Sequence, residues 1–333
     1  MVEIIAETAF SHEGDFNYLK EQIKSSHSAK ADYIKFQVFL NSEEYFTDSH
    51  PSLNTISSFM FSEKQWLKAF LLAKEFGLKI LVLPLNISSL VFCEKHSALI
   101  DIYEVHSVCF NEYMLLNYLS KINKKIVLGI GGRLPQEIYN AKKLLNKSDD
   151  DIILMYGFQS FPTDKNTINL LRINEINKKF NNKIGYADHS SFDCNYLDTL
   201  NTAAVSLGAC YIEKHIVVEI GKKRTDYETA LNSNFFKNMV LRLREIELIL
   251  GNDDIYKLNE KEILYRNREK QIVSSKDIKI GDKLSLDNLT FKISQEKSDF
   301  EQIQFEDLIG SVAKFFIAKD NVIKSKYINK IND

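Results

Sequence analysis

The sequence has few of the features that would place it in several large classes of protein. Its 333 residues include four cysteines, Cys93, Cys109, Cys194 and Cys210, and no two of them form a CxxC pair. This spacing supports neither a zinc knuckle nor a disulfide framework, so we expect reduced thiols. The formal net charge is −2, which excludes the strong basic excess that is typical of nucleic-acid-binding proteins.

Long apolar runs are also missing. No stretch approaches the roughly 20 residues that cross a bilayer, and the opening residues MVEIIAETAF contain neither a basic region nor an extended apolar region of the kind found in signal peptides. Internal repeats and low-complexity stretches are absent as well. We therefore expect a cytoplasmic globular protein whose partners include no membrane and no nucleic acid.

Short β-branched apolar runs alternate with longer segments of helical period from Ile4 to about Leu250, which indicates βα units around a parallel sheet. Eight such units fit a (β/α)8 barrel, and an open doubly wound sheet is the alternative. The predicted strands are Ile4–Thr8, Tyr33–Phe39, Ile80–Leu85, Ile102–Ser107, Lys125–Ile130, Asp151–Gly157, Lys183–Asp188 and Cys210–Val217.

Helical patterns fall between these strands, and a different pattern follows them. The predicted helices include Glu63–Phe76, Pro135–Leu145, Asn195–Leu207 and Asn234–Leu250, and Ser62 to Gln65 has the spacing of a capping box. Residues 251–270 are polar and charged, which indicates a linker after a barrel domain at 1–250. Residues 271–333 alternate apolar and polar positions, which predicts a small β-rich domain.

Polar side chains cluster where the predicted strands end, which is where the active sites of (β/α)8 barrels lie. The candidates are Glu7, Lys35, Gln37, Glu104, Ser107, Gly132, Arg133, Gln159, Asp188, His189, Glu213 and His215. Histidines on adjacent strands can share one divalent metal ion. From the residues alone, His189 and His215 are either such a pair or ordinary buried histidines.

Two further features allow two interpretations each. Lys35 lies in an apolar strand, so its amine needs either a bound anion or an internal ion pair with Glu7 or Glu104. The loop Gly131-Gly132-Arg133 runs into a helix N-terminus and could present N–H groups to an anion. The same loop could equally be a tight turn with a solvated arginine.

These residues, in this order, resemble the sialic acid (N-acetylneuraminate) synthase family over essentially the whole chain. IIAETAFSHEGD resembles the family's "IAEIGxNHxGD", ADYIKFQVF resembles "ADAVKFQ", KIGYADHS resembles "GYSDHT", and YIEKHIVVEIGKKRTDYETAL resembles "xEKHFTLDRxxxGPDHxxSL". The tail from about Gln271 is similar to the antifreeze-like (SAF) domain of these synthases. The resemblance implies a TIM barrel followed by a SAF domain.

The resemblance also implies a reaction, in which phosphoenolpyruvate condenses with an acylamino sugar aldehyde to give a nonulosonic 2-keto acid and phosphate. Its implied cofactor is a divalent metal ion, Mn2+ or Mg2+, with His189 and His215 as ligands. Glu7 and Asp226 are implied as acid/base or sugar groups, and Lys35 and Ser107 as contacts of phosphoenolpyruvate. A domain-swapped homodimer is implied too, with residues 291–294 closing the mouth of the partner's barrel.

Several positions depart from the family pattern. Glu104 replaces a phosphate-binding lysine, and a carboxylate there repels phosphate unless it is protonated or paired with Lys35. The other departures are Leu83, Gln159, Phe161, Ala187, Glu219, Tyr227 and Ile293. We hypothesise that Arg133, with the amides of Gly131 and Gly132, takes the place of the missing lysine. The alternatives are a sugar-acid aldolase, lyase or epimerase that does not use phosphoenolpyruvate, and a catalytically silent sugar-binding homologue.

Overall fold

Eight parallel strands close into a barrel in the computed structural model, which describes residues 1–160 and 162–329. The strands are Glu3–Glu7 (β1), Tyr33–Val38 (β2), Lys79–Pro84 (β3), Ile102–Val105 (β4), Lys125–Gly129 (β5), Ile152–Tyr156 (β6), Lys183–Asp188 (β7) and Ala209–Ile216 (β8). Each strand pairs with the next, and β8 pairs with β1 from Glu3↔Tyr211 to Glu7↔His215. This closure confirms the predicted (β/α)8 barrel and excludes the open sheet.

Helices separate the strands along the chain. Those of the barrel are Phe16–Ser28 (α1), Leu53–Ser57 (α2), Glu63–Glu75 (α3), Ile87–Lys95 (α4), Tyr113–Leu119 (α5), Pro135–Leu145 (α6), Leu171–Lys179 (α7), Leu197–Ser206 (α8) and Ser233–Leu250 (α9). The capping box predicted at the start of α3 is present, because Ser62 Oγ accepts from Gln65 N–H and Gln65 Oε1 accepts from Ser62 N–H. A ninth short strand, Ala230–Leu231 (β9), pairs with β8.

The interior of the barrel is built in layers, because alternate residues of each strand point inward. The lower layer is apolar and consists of Ile5, Tyr33, Leu81, Ile102, Val127, Ile153 and Tyr211 with neighbouring Met155 and Ala187. Two residues further along several strands the inward positions become polar, for example Glu7, Lys35, Glu104 and Glu213. The apolar lower layer therefore fills the interior of the barrel at its base, and the polar side chains lie above it, toward the carboxyl ends of the strands.

A second compact unit begins at Asn252, after a first unit that ends at Gly251. It contains the helix Glu260–Arg266 (α10), which lies within the segment predicted as a linker. The remaining elements are Gln271–Ser274 (β10), Leu289–Lys292 (β11), Phe305–Leu308 (α11), Val312–Ala313 (β12) and Ile328–Asn329 (β13). The strands form two antiparallel pairs around a small apolar core of its own.

Phe161 and the last four residues of the predicted small domain lie outside the described residues. Within the described ranges, no helix combines the length and apolarity that crossing a bilayer requires.

Candidate active site

A polar cavity lies inside the barrel at the carboxyl ends of its strands, with a volume of about 60 Å³. Nine of the predicted site residues line it: Glu7, Lys35, Gln37, Glu104, Ser107, Gln159, His189, Glu213 and His215. The other lining residues are His106, Gly129, Met155, Gly157, Phe158 and Ala187. We call this the catalytic cavity. Residues far apart in the chain meet here because most of them follow an inward-facing position of their strand by an even number of residues, and the others lie in the loops just beyond the strand ends.

The floor of the catalytic cavity is an ion cluster around Lys35. The Lys35 Nζ atom lies 2.9 Å from Glu104 Oε1, 3.0 Å from both carboxylate oxygens of Glu213 and 3.3 Å from Glu7 Oε2. All four residues are buried, with at most 3% of their surface exposed. The internal ion pair that was one interpretation of Lys35 is therefore present, and it involves three carboxylates rather than one.

Burial and the neighbouring charges shift the pKa of every group in this cluster: the pKa of Glu7 falls, and the other three rise. Burial alone would lower the pKa of Lys35, but Glu104, Glu213 and Glu7 outweigh burial and raise it. Burial raises the pKa of Glu104 to about 7, against the pull of Lys35 and with support from the charge of Glu7. Burial likewise raises the pKa of Glu213 well above its ordinary value. The lysine amine therefore stays a cation, while Glu104 changes charge near neutral pH.

The two predicted metal ligands lie side by side at one edge of the catalytic cavity. The ring centroids of His189 and His215 are 5.2 Å apart, and the rings are perpendicular. Thr229 Oγ1 lies 3.1 Å from His215 Nδ1, and Glu7 Oε2 lies 3.3 Å from His215 Nε2. His189 Nδ1 is buried and has no hydrogen-bond partner among the described residues.

This arrangement suits a divalent ion of intermediate hardness, because two imidazoles face one cavity next to a carboxylate. Burial lowers the pKa of His189 to about 3, so its ring is neutral, as metal binding requires. Within the described residues, no three His, Cys, Asp or Glu side chains surround a single point closely enough to hold a metal ion. An ion at His189 and His215 would therefore need ligands from water or substrate as well.

A buried ion pair fixes the strand ends that carry both histidines. The Lys214 Nζ atom lies 3.2 Å from Asp188 Oδ2, and both side chains are fully buried. Lys214 also donates to the carbonyl oxygen of Ser190, and Asp188 accepts from Ser190 N–H and from the Asn201 side chain. Asp188 therefore joins β7 to β8 and to helix α8, and does not itself line the cavity.

Asp226 lies beside the catalytic cavity rather than in its lining. Its Oδ1 atom accepts a hydrogen bond of 2.9 Å from Gln159 Nε2, and Gln159 does line the cavity. Asp226 has a left-handed backbone with φ of 63°, which orients the turn after β8. The structure thus brings Asp226 within one side chain of the predicted site.

The loop that follows β5 does not face the catalytic cavity. Gly132 and Arg133 line a separate cavity between α6 and α7. Arg133 donates to the carbonyl oxygen of Ser107 and pairs with Glu137 at 3.0 Å. The hypothesis that Arg133 replaces a phosphate-binding lysine stays a prediction, with its guanidinium bonded to other groups in this structure.

No role was assigned to His106 or Lys214 from the sequence, although both are polar residues at strand ends that carry other candidates. His106 lines the catalytic cavity two positions beyond Glu104, and the inward-pointing period of β4 would have found it. Burial lowers the pKa of His106 to about 4. The catalytic cavity therefore contains a third imidazole, which like that of His189 is neutral, whereas Glu7 raises the pKa of His215 against the effect of burial.

Comparison with known proteins gives a consistent result. Residues 22–254 match the NeuB family. The chain is 27% identical over 338 residues to N,N'-diacetyllegionaminic acid synthase of Campylobacter jejuni, covering 96% of this chain and 98% of that protein. It is 26% identical over 337 residues to a pseudaminic acid synthase of C. jejuni, covering 97% and 95%.

A solved structure is similar as well. The N-acetylneuraminic acid (sialic acid) synthetase of Leptospira borgpetersenii, in complex with citrate, superposes with a TM-score of 0.72 at 27% identity over 80% of this chain and 91% of that one. The family match covers more than half of the chain, and the closed barrel agrees with it. The chain therefore belongs to the NeuB family.

Proposed function

We propose that this protein is a transferase that condenses phosphoenolpyruvate with an acylamino sugar aldehyde to form a nonulosonic 2-keto acid and phosphate. The observation that carries the proposal is the catalytic cavity, which combines a buried lysine, two adjacent imidazoles and several hydrogen-bonding groups. Membership of the NeuB family and similarity to synthases of legionaminic and pseudaminic acid support it. We expect the product to supply a surface polysaccharide or glycoconjugate.

In this proposal, His189 and His215 hold a divalent ion, Mn2+ or Mg2+, which when bound would polarise or orient the sugar aldehyde. The remaining steps belong to the side chains of the cavity. Lys35 is the cation against which the acidic groups of the donor bind, and Ser107 is a hydrogen-bond donor to them. Because Lys35 stays protonated, it acts as a charge and not as a covalent nucleophile.

The chemistry requires one carbon–carbon bond to form and one phosphate to leave. Water adds to C2 of the enolpyruvate, C3 attacks the aldehyde carbon, and phosphate departs from C2, which becomes the ketone. The new alkoxide at the former aldehyde carbon takes up a proton. Glu7 and Asp226 are the proposed acid/base or sugar-binding groups, and Gln37 holds Glu7 through a 2.7 Å hydrogen bond.

One observation favours a second candidate function. The Lys35 amine is surrounded by three carboxylates, so an incoming phosphate meets a floor that already neutralises the cation. A sugar-acid aldolase, lyase or epimerase that does not use phosphoenolpyruvate would avoid this repulsion. A catalytically silent sugar-binding homologue would show neither activity.

The test is release of inorganic phosphate from phosphoenolpyruvate in the presence of Mn2+ and a panel of hexosamines. The proposal predicts release that requires both sugar and metal, is lost in His189→Ala and His215→Ala, and persists in the exposed control His27→Ala. Turnover of a sugar acid without phosphoenolpyruvate would select the second candidate. Sugar binding with no turnover of any kind would indicate the silent homologue.

A further inference from the structure

A second cavity, of about 410 Å³, lies between helices α6 and α7. Its lining residues are Ile130, Gly132, Arg133, Leu134, Pro135, Ile138, Tyr156, Arg172, Glu175, Ile176, Lys179 and Phe180. None of these residues lines the catalytic cavity. We call it the interhelical cavity, and its volume falls within the range of small-molecule binding sites, about 300–1,000 Å³.

The walls of the interhelical cavity are mainly apolar and partly flat. Ile138 contributes from α6 and Ile176 from α7, while the rings of Tyr156 and Phe180 and the ring of Pro135 add planar surfaces. At its edge, Leu134 exposes 68% of its surface to solvent. An apolar surface of this kind gains free energy when a flat apolar group covers it.

The rim of the interhelical cavity carries an excess of positive charge. Arg172, Ile176 and Lys179 are spaced four and three residues apart, so they share one face of α7. Neither Arg172 nor Lys179 has a carboxylate partner within 4.0 Å in the part of the chain that is described.

Glu175 in the cavity lining and Glu137 at the start of α6 already have cationic partners. Glu175 pairs with Lys178 at 2.7 Å, and Glu137 pairs with Arg133 at 3.0 Å. Arg172 is hydrogen-bonded to Tyr156 and Lys179 lies 6.0 Å from the centroid of the Tyr139 ring, so both rim cations contact aromatic side chains and neither is paired with a carboxylate. An apolar wall beside cations that lack a carboxylate partner matches a ligand that joins a flat apolar body to an anionic group.

We propose that the interhelical cavity binds a small anion with a flat apolar body, of the class of aryl phosphates. The anionic group contacts Arg172 or Lys179, and the ring packs between Ile138, Ile176 and Phe180. Because the two cavities share no lining residue, this ligand is an accessory ligand and not a substrate. The proposal does not depend on the proposed function.

The test is a titration of the full-length protein with phenyl phosphate, followed by ligand-observed NMR and calorimetry. Phenol and inorganic phosphate, which lack the charge and the ring respectively, are expected to bind at least about tenfold more weakly. The double variant Arg172→Ala/Lys179→Ala is expected to weaken phenyl phosphate at least about tenfold, since charge-assisted hydrogen bonds are lost. Lys143→Ala, an exposed lysine of α6 outside the cavity, is the control and should bind as the parent does.

A second variant tests the apolar part without changing charge. Ile176→Phe places a larger side chain in the cavity and should also weaken phenyl phosphate while the variant keeps the parent's thermal midpoint within a few degrees. Equal affinity in the parent, the double variant and Ile176→Phe would overturn the proposal. The proposal would also be overturned if the protein were a dimer that Leu134→Asp dissociates. In that case a second copy of the chain would cover the cavity.

Discussion

At the scale of single residues, several charged side chains of the catalytic cavity are buried. Lys35 and three glutamates form a buried cluster, and each ion offsets part of the cost of burying the others. Glu7 offsets the charge of Lys35, and any further carboxylate that ionises makes the cluster negative and repels an anion that enters the catalytic cavity. Glu104 decides the size of this repulsion, because its pKa of about 7 lies closest to neutral pH.

We predict that phosphoenolpyruvate binds more weakly as pH rises through 7. Burial raises the pKa of Glu104, so the side chain is neutral below pH 7 and becomes a repelling carboxylate above it. The charged groups facing it are Lys35 and Glu7, while burial favours the protonated form of Glu213 and His106 is already neutral in this range. Between pH 6 and pH 8, the dissociation constant for phosphoenolpyruvate should rise about tenfold more in the parent protein than in Glu104→Gln.

Calorimetric titrations of parent and Glu104→Gln at each pH measure this difference. The titration of the ligand itself is common to both proteins and cancels in the comparison. Parallel pH profiles would show that Glu104 does not govern donor binding.

The pair Asp188 and Lys214 yields a prediction about stability. Asp188→Asn leaves the Lys214 cation fully buried without its partner, so we expect the free energy of unfolding to fall by about 3 kcal/mol. Glu219→Gln removes an exposed pair with Lys222 and should have no measurable effect. Urea denaturation of both variants measures the difference, and similar losses in both would contradict the assigned role of the buried pair.

The residues of the site were largely predictable, but their partners were not. Strand ends in a barrel converge, so polar residues there indicate the cavity from sequence alone. The choice of Glu213 as a partner of Lys35 depends on the pairing of β8 with β1 and β1 with β2, which no local pattern encodes. Likewise, no local pattern indicated that Arg133 would bond to Ser107 and Glu137.

At the scale of elements, apolar period and length predicted every barrel strand to within one or two residues. Strand Lys183–Asp188 has the predicted bounds because its apolar run is buried, and helix Pro135–Leu145 has them because a proline stands at its N-terminus. An element without such a local signal was missed. Helix α10 begins at an Asn259 capping box inside a charged segment that was predicted as a linker. The residues of this helix are exposed, so its sequence carries no apolar stripe of the kind that predicts a packed helix.

The close approach of the ends of β5 and β6 leads to a prediction about glycine substitutions. A Cβ atom at Gly131 would lie 2.0 Å from the carbonyl oxygen of Gly157, so the two strand ends must separate to admit it. At Gly132, with φ of +72°, a Cβ atom would meet no described atom within 4 Å, and alanine there costs about 1 kcal/mol of backbone strain.

Thermal unfolding should therefore show a clearly larger loss in Gly131→Ala than in Gly132→Ala. An equal or larger loss in Gly132→Ala would contradict the close approach of the two strand ends.

At the scale of the whole molecule, the chain divides into a barrel unit and a smaller unit after Gly251. The position of that division follows from composition, because residues 251–270 interrupt the βα rhythm. The assignment of the smaller unit as a SAF domain remains an expectation from the resemblance. Its surface exposes Ile293 by 76%, together with half-exposed Phe315 and Phe316.

We predict that the protein is a homodimer in which Ile293 contacts the partner. The resemblance implies that residues 291–294 close the mouth of the partner's barrel, where the exposed Ile293 would become buried and Ile280 would not. Sedimentation equilibrium should give twice the chain mass of 38.5 kDa. Ile293→Asp should shift the equilibrium toward monomer, whereas Ile280→Asp, at another exposed position, should not. A parent protein that sediments as a monomer would contradict the prediction.

The central claim is that the catalytic cavity joins a three-carbon enolpyruvate donor to a sugar aldehyde. Mass spectrometry of the products formed from phosphoenolpyruvate, Mn2+ and a panel of acylamino sugars tests it most directly, because product mass identifies donor and acceptor together. We predict a species with the mass of one acceptor plus one pyruvate unit, formed with one equivalent of phosphate and absent in His189→Ala. If every acceptor is recovered unchanged while the protein is folded and metal is present, the claim is wrong.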